Sequence, residues 1–180
     1  MTPFDAIMTL LKKEVAQLKE PAVGVIAKKT GDPFQILISC LLSLRTRDEV
    51  TDAASHRLFQ LAQTPAKILT LKQDQIAKAI YPVSFYRNKS NQILSISEAL
   101  LQRHQGAVPA TLPELLMLPG VGRKTANLVV TVAFGKLGIC VDTHVLRISN
   151  RIGYIKTKTP EESEMGLRAK VPKRYWISYN

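Results

Sequence analysis

Apolar residues along this chain return every three or four positions in segment after segment, and capping or turn residues punctuate them. The first segment opens with Thr2-Pro3-Phe4-Asp5, a capping residue, a first-turn proline and an acidic third position. Phe4, Ile7, Met8, Leu11, Val15 and Leu18 then share a face, which predicts an amphipathic helix. Asp32-Pro33 starts another helix by the same device. Its residues Phe34, Ile36, Leu37, Ile38, Cys40, Leu41, Leu42 and Leu44 leave no polar side, so it belongs in the middle of a bundle. Ser43 to Asp48 breaks the apolar run, and Thr46 with Glu49 reads as a capping box for a helix striped by Val50, Ala53, Ala54, Leu58 and Leu61.

Thr64-Pro65 begins a short helix through Leu71, and Asp74 to Ile80 makes another before Pro82. Ser84 stands where it can cap a long segment through Arg103, with Ile93, Leu94, Leu100 and Leu101 inward and Gly106 as the stop. Thr111 and Glu114 frame a helix ending at Leu118, and an apolar run from Thr125 to Phe134 stops at Gly135. Gly138-Ile139-Cys140-Val141 reads as an extended connector, and Asp142 caps a helix through Ile152. Thr159-Pro160-Glu161-Glu162 caps a further helix, and Pro172 begins one that runs to Asn180. No strand alternation with hairpin dipeptides occurs, so the fold class predicted is all-α, about ten helices on short loops. No repeat, low-complexity segment or separating linker is present.

Charge narrows the partner. Twenty-five Lys and Arg against fourteen Asp and Glu give +11 over 180 residues, a length for one domain or two small intimate ones. That excess suits a polyanion, nucleic acid first. The basic residues are spread along the chain rather than lining one helix, which argues against a membrane surface. The longest nearly apolar stretch, Phe34 to Leu44, is far below the ~20 residues of a membrane span, and the N-terminus has no secretory apolar region. Cys40 and Cys140 both sit in apolar runs and read as buried, reduced thiols. A soluble intracellular protein is expected.

The chemistry concentrates in Leu118-Pro119-Gly120-Val121-Gly122-Arg123-Lys124-Thr125-Ala126, where one helix stops at a glycine turn and the next starts at once. Free amides at that helix start offer a site for one phosphate, with Gly120, Val121, Gly122, Arg123 and Thr125 as the contacts. Lys124 lies in the first turn and is either a counter-charge or a nucleophile. A nucleophilic lysine must be neutral, about three units (roughly 4 kcal/mol) below its ordinary titration near ~10.4. A helix N-terminus and the neighbouring Arg123 act in that direction. Asp142, in Val141-Asp142-Thr143-His144, reads as an ionised N-cap able to support a positively charged sugar. His144 reads as a phosphate-side residue and, with no other histidine nearby, not as a metal ligand.

Ile36 to Val50, Pro82 to Ala107, Leu115 to Val130 and Val141 to Arg151, in that order, resemble the endonuclease III family of helix-hairpin-helix DNA glycosylases. The resemblance covers roughly Asp32 to Val171. It implies a six-helix domain over residues 21–134, carrying the hairpin at about 111–132, and a second domain from 1–20 and 135–180, with the active cleft between them. It implies a monomeric base-excision enzyme acting on double-stranded DNA with a damaged pyrimidine or abasic site. Lys124 would attack C1′ of a flipped-out nucleotide and form a Schiff base, β-elimination would cut the strand, and Asp142 would assist. Arg45, Arg87 and Lys89 join the expected DNA contacts.

The sequence departs from the family's pattern in three places. Arg45 stands where many relatives carry a glutamine that helps fill the gap left by the flipped base, and Ser84 where a glycine is common. The four C-terminal cysteines that hold a [4Fe-4S] cluster in relatives are absent: either the second domain is truncated at the C-terminus or this member is clusterless, and no cofactor is expected in this chain. A binding-only relative, and a mismatch or purine-lesion glycosylase on the same fold, remain alternatives.

Overall fold

The segment that is apolar on every side, α3 (Pro33–Ser43), is the central helix of the larger core. Its start follows from Asp32, whose carboxylate accepts the Gln35 amide at 2.8 Å, with Pro33 in the first turn. From Ile36 to Leu42 its apolar side chains are 0–1% exposed, each worth about 1.5–3 kcal/mol of burial. The computed structural model describes residues 3–179, so Thr2 of the first predicted cap and Asn180 lie outside it.

Around α3 pack α2 (Ala22–Thr30), α4 (Asp48–Leu61), α7 (Tyr86–His104) and α9 (Arg123–Phe134). Two short helices, α5 (Pro65–Ile68) and α6 (Gln73–Ile80), close one side against α7, and α8 (Leu112–Leu116) leads into α9. A second, smaller core gathers Ile139, Val141, Ile155, Leu167 and Val171. It is built by α10 (Thr143–Arg151), α11 (Pro160–Lys170) and the turns after them, with Phe4 of α1 (Pro3–Val15) stacked on Tyr154 at 5.2 Å. The chain's two ends are thereby joined, and Arg174 pairs with Asp5 at 2.6 Å across the same junction. Among the described residues there is no strand, and no helix long and apolar enough to cross a membrane.

Several expectations from the pattern are corrected. Helix α2 has no cap signal in the sequence and begins after Pro21 without a side-chain cap. Thr46 does not cap α4, and Ser84 does not cap α7. The Thr46 hydroxyl donates to the Leu44 carbonyl at 3.3 Å and accepts the Ser84 amide at 3.2 Å, while Ser84 Oγ donates to the Arg45 carbonyl at 2.6 Å. Both hydroxyls are spent tying two loops together across the chain. The final helix expected from Pro172 is instead two 3-10 turns, Lys173–Tyr175 and Ile177–Tyr179. Helix α1 forms, but of its striped face only Met8 is fully buried, whereas Ile7, Leu11 and Val15 are about half exposed.

Candidate active site

A cleft of about 700 Å³ opens where the two cores meet. One wall is the start of α9 with Gly120 and Gly122, the opposite wall is Val141 to His144, and Arg45 stands at the rim. Gly120 takes a left-handed φ of +67°. A Cβ there would lie 1.9 Å from Nε2 of Gln92, which donates to the Pro119 carbonyl at 3.3 Å. Gly122 needs no such freedom, since its φ is −83° and nothing lies within 4 Å of where a Cβ would be. Only the first of the two glycines is there for its backbone angle; the second leaves open space in front of the helix start. Gly122 is the N-cap of α9 and supplies no side-chain acceptor, so the first amides of that helix are uncapped from within the protein.

Lys124 lies one residue into α9, and its Nζ is 3.8 Å from Asp142 Oδ2. Asp142 caps α10, where Oδ1 accepts the His144 and Val145 amides at 2.9 and 2.8 Å. One carboxylate oxygen is thus committed to the helix and the other faces the lysine. His144, also on this wall, shares a contact between its Nδ1 and Nη2 of Arg147 at 3.1 Å. Beneath the lysine, Cys140 Sγ donates to the Lys124 carbonyl at 3.5 Å. Burial pushes the Cys140 thiol up to about 11 and holds Cys40 higher still.

The remaining expected contacts divide. Arg45 has a left-handed φ of +57° and its guanidinium lies over the Phe85 ring at 5.3 Å. Phe85 shares that strained backbone region and is 55% exposed, a functional candidate that the apolar pattern alone does not distinguish from a poorly buried core residue. Arg87 is exposed and stacks on Tyr86. The side chains of Val121 and Thr125 are buried, so only their backbone can meet a ligand. Lys89 is corrected: it is 5% exposed and donates to the Leu42 and Leu44 carbonyls at 2.9 and 2.7 Å, closing the C-terminal end of α3 instead of facing a phosphate. Burial pulls it down to about 8.

Arg123 is also not a free cation. It forks onto Glu164 of α11, with Nε at 2.7 Å and Nη2 at 3.2 Å. Glu164 and Asn127 line the cleft, and sequence reasoning passed over both. The available signal was Asn127, an amide in the middle of an apolar helix that demands a buried partner. The [4Fe-4S] cluster of relatives needs four thiolates, and this sequence has two cysteines, both buried in the core, so the residues present do not fit that group.

An uncapped helix start behind a glycine hairpin, with a lysine and a carboxylate facing across a cleft between helical cores, defines a helix-hairpin-helix protein of the DNA-repair kind. The chain belongs to the HhH-GPD superfamily of base excision DNA repair proteins, whose pattern matches residues 38–173. Within it the similarity is to endonuclease III: the Thermotoga maritima protein of that name is 49% identical over 152 residues, 84% of this chain and 71% of that one. The mouse endonuclease III-like protein 1 is 44% identical over 82% of this chain, which spans only 50% of it. Among solved structures, a trapped endonuclease III–DNA covalent intermediate, an estranged-adenine complex, superposes with a TM-score of 0.84 at 32% identity, covering 99% of this chain and 83% of that one.

Proposed function

We propose that this chain is a DNA glycosylase with AP-lyase activity, acting in base excision repair on oxidised or ring-damaged pyrimidines in double-stranded DNA. The observation that carries the reading is the pair Lys124–Asp142, 3.8 Å apart beside an uncapped helix start. The α9 amides and the open space at Gly122 hold a backbone phosphate. With the damaged nucleotide flipped into the cleft, the Lys124 amine attacks C1′. The bond from C1′ to the base breaks, its electron pair leaves with the base, and the base takes up a proton. Opening of the sugar ring leaves an imine between Lys124 and C1′. Loss of a C2′ proton then expels the 3′ phosphate, and hydrolysis of the imine frees the lysine. Asp142 Oδ2 orients Lys124 and offsets positive charge on the sugar, while its Oδ1 stays fixed to α10.

Two hydrophobic cores on either side of the cleft support a division into a domain of residues 21–134 and a second of 1–20 with 135–180. Arg45 at the rim, with the exposed Phe85 ring against its guanidinium, suits the gap left by the flipped nucleotide, an arginine's donors meeting the orphaned base. The protein works as a monomer in the cytoplasm, nucleoid or equivalent DNA-containing compartment. Borohydride reduction on abasic-site DNA tests the assignment. A covalent protein–DNA adduct is expected from the native sequence and none from Lys124→Gln; an undiminished adduct in that variant refutes the role of Lys124.

A further inference from the structure

Two cations and two carboxylates meet at the cleft: Arg123 and Lys124 in succession on α9, and Asp142 and Glu164 opposite. They sort into two pairs of unequal strength. Lys124 meets one oxygen of Asp142 at 3.8 Å, whereas Arg123 takes both oxygens of Glu164. Glu164 is 2% exposed and also accepts from Asn127 Nδ2 at 2.9 Å and Arg168 Nε at 2.9 Å. Arg168 closes the ring by donating to Asn127 Oδ1 at 3.1 Å. An ionic ring around a buried carboxylate is a poor way to gain stability, because well-packed apolar residues commonly do as well. Its value lies in which groups it pairs.

A guanidinium is the better fork for a carboxylate or a phosphate than an ammonium is. An Arg123 without Glu164 would stand beside Lys124 as a rival for Asp142 and for the phosphate at the helix start. We propose that Glu164 is a positioning residue that holds the Arg123 guanidinium away from Asp142 and so leaves Asp142 to Lys124 alone. This rests on the glycosylase/lyase reading above, with Lys124 as nucleophile.

The test compares single-turnover borohydride trapping and thermal unfolding across variants, after the native protein has trapped and Lys124→Gln has not. Absence of trapping by the native protein overturns the glycosylase/lyase reading and this inference with it; the variant comparison addresses Glu164 alone. Glu164→Gln is expected to slow trapping about tenfold. Adding Arg123→Gln to it removes the rival cation and is expected to restore most of that rate. Arg168→Gln, which weakens the same tie between α9 and α11 but leaves Arg123 held, is expected to lower the melting temperature and leave the trapping rate close to native. A merely structural Glu164 predicts otherwise: no rescue in the double variant, or Arg168→Gln slowing trapping as much as Glu164→Gln. Either result overturns the proposal. If Glu164→Gln does not fold, the double variant and Arg168→Gln still decide, since a double variant that folds yet traps tenfold slower than native also overturns it.

Discussion

Replacing Gly120 by alanine tests the hairpin geometry quantitatively. The alanine must hold a φ of +67°, which costs an L-residue about 1–2 kcal/mol. Its Cβ would lie 1.9 Å from Gln92 Nε2 and 2.7 Å from Cδ, so that side chain must swing away. Swinging away breaks its bond to the Pro119 carbonyl, about 1 kcal/mol more. The unfolded chain loses freedom on Gly→Ala, which returns about 0.4–1 kcal/mol. The net loss is about 2 kcal/mol, or roughly 4–8 °C in melting temperature for a chain of this size. Gly122→Ala, two residues on, has an ordinary φ and open space, so its stability should stay within about 0.5 kcal/mol of native. Its affinity for abasic-site DNA should fall instead, because the methyl group stands in front of the helix amides. Chemical denaturation measures the first effect and fluorescence anisotropy with a labelled duplex the second. On a Gln92→Ala background the stability cost of Gly120→Ala should shrink to its backbone part, about 1 kcal/mol. Equal losses from the two glycines, or a cost unmoved by removing Gln92, would refute the reasoning.

Two further outcomes are expected. Lys89→Met leaves the Leu42 carbonyl without its side-chain donor and the Leu44 carbonyl with the Thr46 hydroxyl alone, and should cost about 1–3 kcal/mol by denaturation. Because burial pulls Lys89 in the fold down to about 8, the folded chain binds fewer protons than the unfolded one between that pH and about 10.4. The native protein's advantage over this variant should therefore grow as pH rises through that window, and a shrinking advantage would contradict it. Phe85→Gly relieves a left-handed phenylalanine at +57°, and calorimetry should find a melting temperature at or above native, with weaker binding to lesion DNA. A lower melting temperature would mean that the ring contributes more to folding than its backbone costs.

Helix content and the caps with a single obvious donor were legible in the residues. Asp32, Thr64, Asp142 and Thr159 each accept the amide that their position predicts. What the pattern missed depends on partners far along the chain. Thr46 and Ser84 look like caps until the fold brings them together from 38 positions apart. Lys89 looks solvent-facing because lysines usually are, and only the packing of α7 on α3 turns it inward. Glu164 is one acid among several on an amphipathic helix, and nothing local distinguishes it from Glu161 or Glu162. At the site, Lys124 and Asp142 stood out because the hairpin and the cap announce themselves over a few residues. Arg123, in the same motif, was misread as free for the opposite reason: its partner is 41 residues away.

The thiols beneath the lysine carry a consequence for durability. With Cys140 pushed up to about 11 by burial, the thiol form dominates at neutral pH. Peroxides and disulfides react with thiolates, so the sulfur touching the Lys124 carbonyl is protected by its own protonation as well as by burial. A cell under oxidative stress would lose its exposed low-pKa thiols long before Cys140, and the backbone that carries Lys124 would keep its shape through the episode.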